Sequence, residues 1–217
     1  MLTKFLTQKK GAVGIGTLII FIALVLVAAV AAAVIINTAS NLQHKAARVG
    51  QESTKQVASG VQVVKVVGYA PDNSQINKLI IFISPNIGDE IDLSSTIVTI
   101  SNGDKKASLV YDNNSFIYNT TITGTDDIFS SAWPSNIAKD KFGIIVLQDA
   151  DGSMNNTAHP TMNFGDKAVI AIELDDIGMT ISPRDRVYGE VIPEYGASGI
   201  IEFIAPSTFT EHVISLQ

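Results

Sequence analysis

Gly14-Ile15-Gly16 opens a G-x-G-x-x-G pattern, the glycine spacing that lets backbone N–H groups cradle a phosphate. The pattern fails at its sixth position, which is Ile19, and no Gly-Lys-Ser/Thr follows. A phosphate loop also needs a strand before it, and only a short polar and basic segment precedes this one. Asp149-Ala150-Asp151-Gly152-Ser153 offers side-chain oxygens at alternate positions with a glycine at the bend, like the first half of a calcium loop. Asp149, Asp151 and Ser153 are its candidate ligands. The closing bidentate glutamate is missing, since Pro160 stands at the twelfth position, so a solvated acidic turn is the simpler reading. Asp126-Asp127 and Asp175-Asp176 read as solvated turns as well. Nothing in the chain requires a cofactor, and calcium is the one ion the loop could accept.

Other chemistries find little to work with. His44, His159 and His212 have no metal-ligand spacing, and no G-x-S-x-G occurs. The chain has 0 cysteines, which excludes disulfides, thiolate metal sites and cysteine nucleophiles. An enzyme is therefore not expected. Three N-x-Ser/Thr sequons, at Asn113, Asn119 and Asn155, are candidate N-glycosylation sites, with ordinary polar turns as the alternative. Trp133-Pro134 reads as a packed turn.

The elements that must carry these residues fall into two kinds. Ala12 to Ile36 contains no charged residue, and Lys4, Lys9 and Lys10 precede it. A helix over this segment spans ~37 Å, enough to cross a bilayer. The lysines place its N-terminus in the cytoplasm and the rest of the chain outside. From Asn37 to Ser59 the chain turns polar but contains no proline, and Leu42, Ala46, Val49, Ser53 and Val57 form one weak apolar stripe. The simplest reading is one helix continuing to Gly60, with Gly50 its weak point, ~70 Å long. No bilayer is that thick.

After Gly60, β-branched runs alternate with turn residues. Strands are expected at 61–69, 79–84, 91–101, 108–111, 116–122, 143–148, 168–174, 186–191, 200–205 and 212–216. Asn102-Gly103-Asp104 signals a hairpin between two of them. In 168–174, hydrophobes on both faces suggest a central or covered strand. The fold class expected is α+β, a long N-terminal hydrophobic helix followed by an all-β sandwich of immunoglobulin-like type. The division expected is a removable leader over 1–11, the helix over 12–60 and the β domain over 61–217.

Charge bounds the partners. The net charge is -6, and loss of the three lysines would take it to -9. Such a surface disfavours nucleic acid and anionic lipid. A Sec signal peptide has an apolar region of only ~7–15 residues and a small-residue cleavage site at its end, which does not describe this segment. A permanent single-pass anchor explains the hydropathy but not the small residues Gly14, Gly16, Ala23, Ala28, Ala29, Ala31, Ala32 and Ala33. Glycine costs an exposed helix ~1 kcal/mol relative to alanine. Small residues repay that where helices pack backbone to backbone. Gly16, Ala23, Ala28, Ala29 and Ala32 are the expected helix-packing positions.

Lys9-Lys10-Gly11 followed by Ala12-Val13-Gly14-Ile15-Gly16-Thr17-Leu18-Ile19 resembles the class III signal peptide of archaellins, the archaeal flagellins. Ile192 to Pro206, "IPEYGASGIIEFIAP", followed by Val213 to Gln217, resembles the archaellin C-terminus. The resemblance covers both ends closely and the middle in character. It implies cleavage between Gly11 and Ala12 by a dedicated membrane peptidase, the prearchaellin signal peptidase. Lys9, Lys10 and Gly11 would be read before the cut, and Ala12 and Gly14 after it. It further implies a mature helix packed with copies of itself and of paralogous archaellins in a filament core. The precursor would sit in the cytoplasmic membrane with its N-terminus inside. The extracellular filament would be turned for swimming by an ATPase motor on a membrane platform. Glycans on the outer domain are common in that family. Type IV pilins share the leader and helix but carry glutamate at the fifth mature position, where this chain has Gly16. An archaeal adhesion pilin or a membrane-anchored binding module remains the alternative.

Overall fold

The computed structural model describes residues 2–86, 90–118, 122 and 124–217, with backbone only for 2–12, 125 and 126. Helix α1 runs unbroken over Leu2–Ala58, roughly 85 Å at 1.5 Å per residue. No proline interrupts it, and the chain passes helically through Gly50. An exposed Arg48–Glu52 pair, four residues apart at 3.3 Å, supports its polar stretch. The helix therefore starts ten residues earlier than the apolar segment alone suggests. The chain divides into two compact units, Met1–Glu52 and Ser53–Gln217.

The helix ends where Ser59 N–H still donates to Lys55 O at 2.9 Å, after which Gly60 pairs with Ala197. The chain then enters β1 (Val61–Tyr69), β2 (Lys78–Pro85), β3 (Ile91–Asp92), β4 (Ile97–Ser101) and β5 (Lys106–Ile117). A short helix α2 (Thr125–Phe129) precedes β6 (Lys141–Gln148), β7 (Thr161–Met162) and β8 (Lys167–Glu173). β9 (Arg186–Ile192), β10 (Gly199–Ile204) and β11 (Val213–Ser215) complete the order.

Nine of these strands form one sheet, in the order β10-β9-β4-β5-β6-β8-β2-β1-β11. Only the β5–β6 pairing in it is parallel. The sheet curls back on itself. A Cβ on Gly199, at the start of β10, would sit 3.0 Å from Val61 O and 2.9 Å from Val63, in β1. The two layers anticipated as separate sheets are thus halves of one curled sheet. Inside the curl lies the main core, with Leu79, Ile81, Ile100, Leu109, Phe142, Ile144, Ile170 and Val187 almost fully buried. Each such side chain contributes roughly 1.5–3 kcal/mol. On the convex side a smaller cluster forms under α2 and the segment after it, joining Val67, Ile80, Ile145 and Val169 to Phe129 and Ile137. Trp133 stacks on Phe129 at 5.8 Å with the Lys78 ammonium 4.6 Å from its ring, so the packed turn is present.

β8 explains its own composition. It lies between β6 and β2. Ala168, Ile170 and Ile172 feed the main core while Val169 and Ala171 feed the convex cluster. The β4–β5 hairpin forms where expected: Gly103 takes φ +91° and Asn102 Oδ1 accepts from Asp104 and Lys105 N–H. Because β5 and β6 run parallel, a long crossover must join them. Asp112 ties its return end to β5. The carboxylate is buried, accepts from Ala138 N–H at 3.2 Å and Ser115 Oγ at 3.3 Å, and pairs with Lys141 at 3.4 Å. Burial pushes its pKa up, but the Ala138 and Asn114 N–H groups and Lys141 outweigh that and hold it below the usual carboxylate range.

Candidate assembly helix and outer-domain loops

The apolar side chains of α1 between Val13 and Ile36 are exposed. Leu18, Ile19, Phe21, Leu24, Val27, Val30 and Ile36 are each more than half exposed, and the segment's mean hydropathy reaches 3.4. An apolar surface of this size does not remain in water. The polar atoms inside the segment are already satisfied: Thr17 Oγ1 donates to Gly14 O at 2.9 Å, and Thr38 Oγ1 to Val34 O at 2.8 Å. Such a helix fits lipid or a bundle of similar helices. A Cβ on Gly14 or Gly16 would meet no atom within 4 Å, so nothing in the chain itself demands glycine there. Gly16 and Ala23, seven apart, share one face, and Ala28 and Ala32, four apart, share another, with Ala29 beside them. The backbone of Lys9, Lys10, Gly11 and Ala12 belongs to the same continuous helix.

The C-terminal motif has a structural task that its sequence alone does not reveal. Ala197 N–H donates to Ser59 O at 2.9 Å, and Val61 N–H donates to Ala197 O at 3.0 Å. Gly196 adopts φ +98° and lies so close that a Cβ would stand 2.3 Å from Ser59 O. The motif therefore grips the chain where the helix hands over to the sheet.

The acidic loop between β6 and β8 brings together more than the sequence pattern showed. Carboxylate oxygens of Asp149, Asp151 and Asp166 lie within 4.8 Å of one another. Asp149 accepts from Gly152 N–H at 2.8 Å and Tyr118 OH at 3.1 Å. Asp151 accepts from Ser153 N–H at 2.9 Å and Asn163 Nδ2 at 2.6 Å. Asp166, 1% exposed, accepts from Ala150 N–H and Asn163 N–H, each at 2.9 Å. The Ser153 N–H bond, followed by the Asn163 amide, holds the Asp151 carboxyl below its ordinary pKa. Burial and the Asp149 carboxylate push the Tyr118 phenol up. Ser153 Oγ donates to Thr161 O at 2.7 Å, lies 3.4 Å from Asp166 Oδ2 and accepts from Asn163 Nδ2 at 3.1 Å. Asp166 arrives from beyond β7, outside any twelve-residue loop template, so no local sequence pattern includes it.

The three sequons differ. Asn155, Asn156 and Thr157 are all exposed. Asn113 is exposed in the middle of β5, but Ser115, the hydroxyl residue of its sequon, is 1% exposed and bonded to Asp112. Asn119 lies outside the described residues. The histidines stay apart: His159 Nδ1 lies 3.0 Å from Asp92, and His212 Nδ1 3.1 Å from Ala70 O.

A bare apolar helix carrying a β domain fits either a membrane-anchored protein or a subunit that assembles with copies of itself. The chain belongs to the archaeal-type flagellin family, which matches residues 11–203. It is 70% identical to flagellin B3 of Methanocaldococcus jannaschii, over 100% of both chains. It is 52% identical to flagellin B3 of Methanococcus voltae, again over 100% of both. The crystal structure of archaeal flagellin FlaB1 from Methanocaldococcus jannaschii superposes with a TM-score of 0.65 at 31% identity, covering 74% of this chain and 98% of that one. A subunit of the archaeal flagellum of Methanospirillum hungatei shares the fold, with a TM-score of 0.62 at 17% identity over 93% and 98% of the two chains. A structural subunit of the archaeal motility filament, working outside the cell alongside paralogous flagellins, is the function of this family. The adhesion pilin and the anchored binding module are set aside by these likenesses.

Proposed function

We propose that the chain is made as a membrane precursor with its N-terminus in the cytoplasm, cut between Gly11 and Ala12, and drawn into a filament whose core is the mature α1 helix. The observation that carries this is the helix surface: apolar on every side and exposed from Val13 to Ile36 among the described residues. Within that core Gly16, Ala23, Ala28, Ala29 and Ala32 are the close-packing positions. Lys9, Lys10, Gly11, Ala12 and Gly14 form the segment read by the prearchaellin signal peptidase. The platform and ATPase motor of the archaellum supply extraction from the membrane and rotation. N-terminal sequencing of filaments sheared from cells tests the cut: the first residue is expected to be Ala12, and Met1 would refute it.

Glycan acceptance divides the sequons. An oligosaccharyl transferase must engage both the asparagine and the hydroxyl two residues on, and only the Asn155 sequon presents both on the described surface. Glycan at Asn113 requires transfer before β5 folds and buries Ser115. We expect Asn155→Gln to remove one glycan mass from the mature subunit; an unchanged offset from the bare-chain mass, or no offset in the parent, would refute Asn155 as the acceptor.

Calcium is a second reading of the acidic loop. Asp149, Asp151, Ser153 and Asp166 supply only hard oxygen donors, which suits that ion, and Asp166 supplies the closing carboxylate that Pro160 cannot. A bound ion would hold the β6–β8 loop closed and offset repulsion among three carboxylates. Calcium at a hundred times its Kd should stabilise the fold by about 2.7 kcal/mol. A melting temperature indifferent to calcium and to chelator, or one equally calcium-dependent in Asp166→Asn, would exclude the site.

A further inference from the structure

Phe164 is the most exposed aromatic side chain among the described residues of the β domain, at 79%. It sits at the tip of a fixed turn. Asp166 N–H donates to Asn163 O at 3.1 Å, Asn163 N–H donates to Asp166 Oδ2 at 2.9 Å, and the Asn163 amide is held by Asp151. Gly165, at φ +100°, closes the bend. A large apolar ring carried on a turn whose backbone is already fixed needs little backbone ordering on docking, which suits an interface anchor.

A cleft of about 530 Å³ lies elsewhere on the same domain, walled by Tyr69, Phe129, His212 and Val213 with Ser130 and Glu211 at its rim. Tyr69 stacks on Phe129 at 5.1 Å and meets His212 at 6.4 Å. Phe129 is 6% exposed and stacked on both Tyr69 and Trp133, so an inserted phenyl ring would meet Tyr69, His212 and Val213, edge-to-face on the two rings.

The positions of the two features select the occupant. Phe164 lies three residues before Lys167, the first residue of β8. Tyr69 pairs with Lys78, and Lys78 with Glu173, the last residue of β8. Ring and cleft are therefore at opposite ends of a seven-residue strand, roughly 20 Å apart at 3.3 Å per residue. The domain cannot close this contact on itself. A knob at one end and a hole at the other make a heterologous, head-to-tail contact, the type that generates an open helical polymer.

We propose that Phe164 of one subunit docks in the Tyr69–Phe129–His212 cleft of a second copy, an outer-domain contact that adds to helix packing in the filament. The contact rests on the filament reading above, and its test separates the two. With 0 native cysteines, Phe164→Cys combined with Glu211→Cys gives the only thiols. They are too far apart to join within one subunit, since a disulfide needs Cα atoms within about 7 Å. Oxidation of sheared filaments should give a ladder of disulfide-linked oligomers, which neither single variant gives. Filaments that form and yield no ladder would overturn the contact and leave the filament reading intact. Hydroxyl-radical footprinting of unmodified filaments covers the case in which the double variant does not assemble. Phe164 and Tyr69 should both lose most of their labelling relative to dissociated subunits; unchanged labelling of Phe164 overturns the proposal. Absence of filaments from the unmodified chain would be a failure of the filament reading itself, and this contact would fall with it.

Discussion

Replacing Gly11 with valine is expected to leave the full-length chain in the membrane fraction and to abolish filaments. The leader carries Lys4, Lys9 and Lys10, and the same helix continues without a break into the apolar segment. In the proposed membrane precursor the lysines are an asset, because they would sit in water at the cytoplasmic face. In a filament core they become a liability. Placing an unpaired ammonium in a dry interior costs several kcal/mol after relaxation, and every subunit would bring three. The gain that must outweigh this is small per residue, since moving an apolar helix from lipid to a bundle exchanges one dry surface for another and leaves close packing as the main source of stability. On the proposed reading, cleavage at Gly11 would convert an anchor into a polymerising element. A β-branched side chain at the residue before the cut obstructs the peptidase, whereas Gly11→Ala should retain partial processing. Intact mass of the membrane-bound protein and electron microscopy of the medium read the outcome. Filaments of normal length built from uncut Gly11→Val chains would remove leader charge as the barrier.

How much was legible in advance depends on how local each signal is. The β1 boundaries, Val61 and Tyr69, follow from the β-branched run and the turn residues after it, and the Asn102–Asp104 hairpin follows from turn chemistry alone. β5 was the main divergence. Asp112-Asn113-Asn114 reads as a turn between two strands, yet Lys106–Ile117 is one strand. The Asp112 carboxylate is buried against Lys141 and Ala138 N–H, 29 and 26 residues away, and no local pattern encodes those partners. α2 is five residues long and too short to show a helical period. Asp166 joins Asp149 and Asp151 only because β7 and β8 bring it back. The apolar helix, by contrast, was legible throughout, because its function is written in composition and not in tertiary contacts. Sheet curling was not legible, since strand order and closure depend on contacts between residues far apart in sequence, such as the Gly60–Ala197 bridge.

Gly196→Ala is expected to destabilise the β domain by about 3–5 kcal/mol, which combines an L residue held at positive φ with a backbone collision. The φ of +98° is outside the region an alanine adopts comfortably, and its Cβ would lie 2.3 Å from Ser59 O and 2.5 Å from Ser59 C. Neither neighbour can yield cheaply. Ser59 O accepts from Ala197 N–H and Ala197 O accepts from Val61 N–H, so moving Ser59 away breaks the pair of bonds that turns the chain from α1 into β1. β1 in turn pairs with β2 over eight positions and lines both hydrophobic clusters through Val66 and Val67. At about 2–4 °C per kcal/mol for a domain of this size, the melting temperature should fall by roughly 10 °C. Gly50→Ala is the matched control. It lies inside α1 with nothing within 4 Å of the added methyl, and there alanine should stabilise the helix by up to ~1 kcal/mol. The same chemical change at two glycines is thus expected to act with opposite sign, because an added methyl collides with Ser59 at one and meets open space at the other. A Gly196→Ala melting temperature within about 2 °C of the parent would show that the Ser59–Ala197 clasp is dispensable. The agreement of this C-terminal motif with that of archaellins would then have to come from contacts made in the filament.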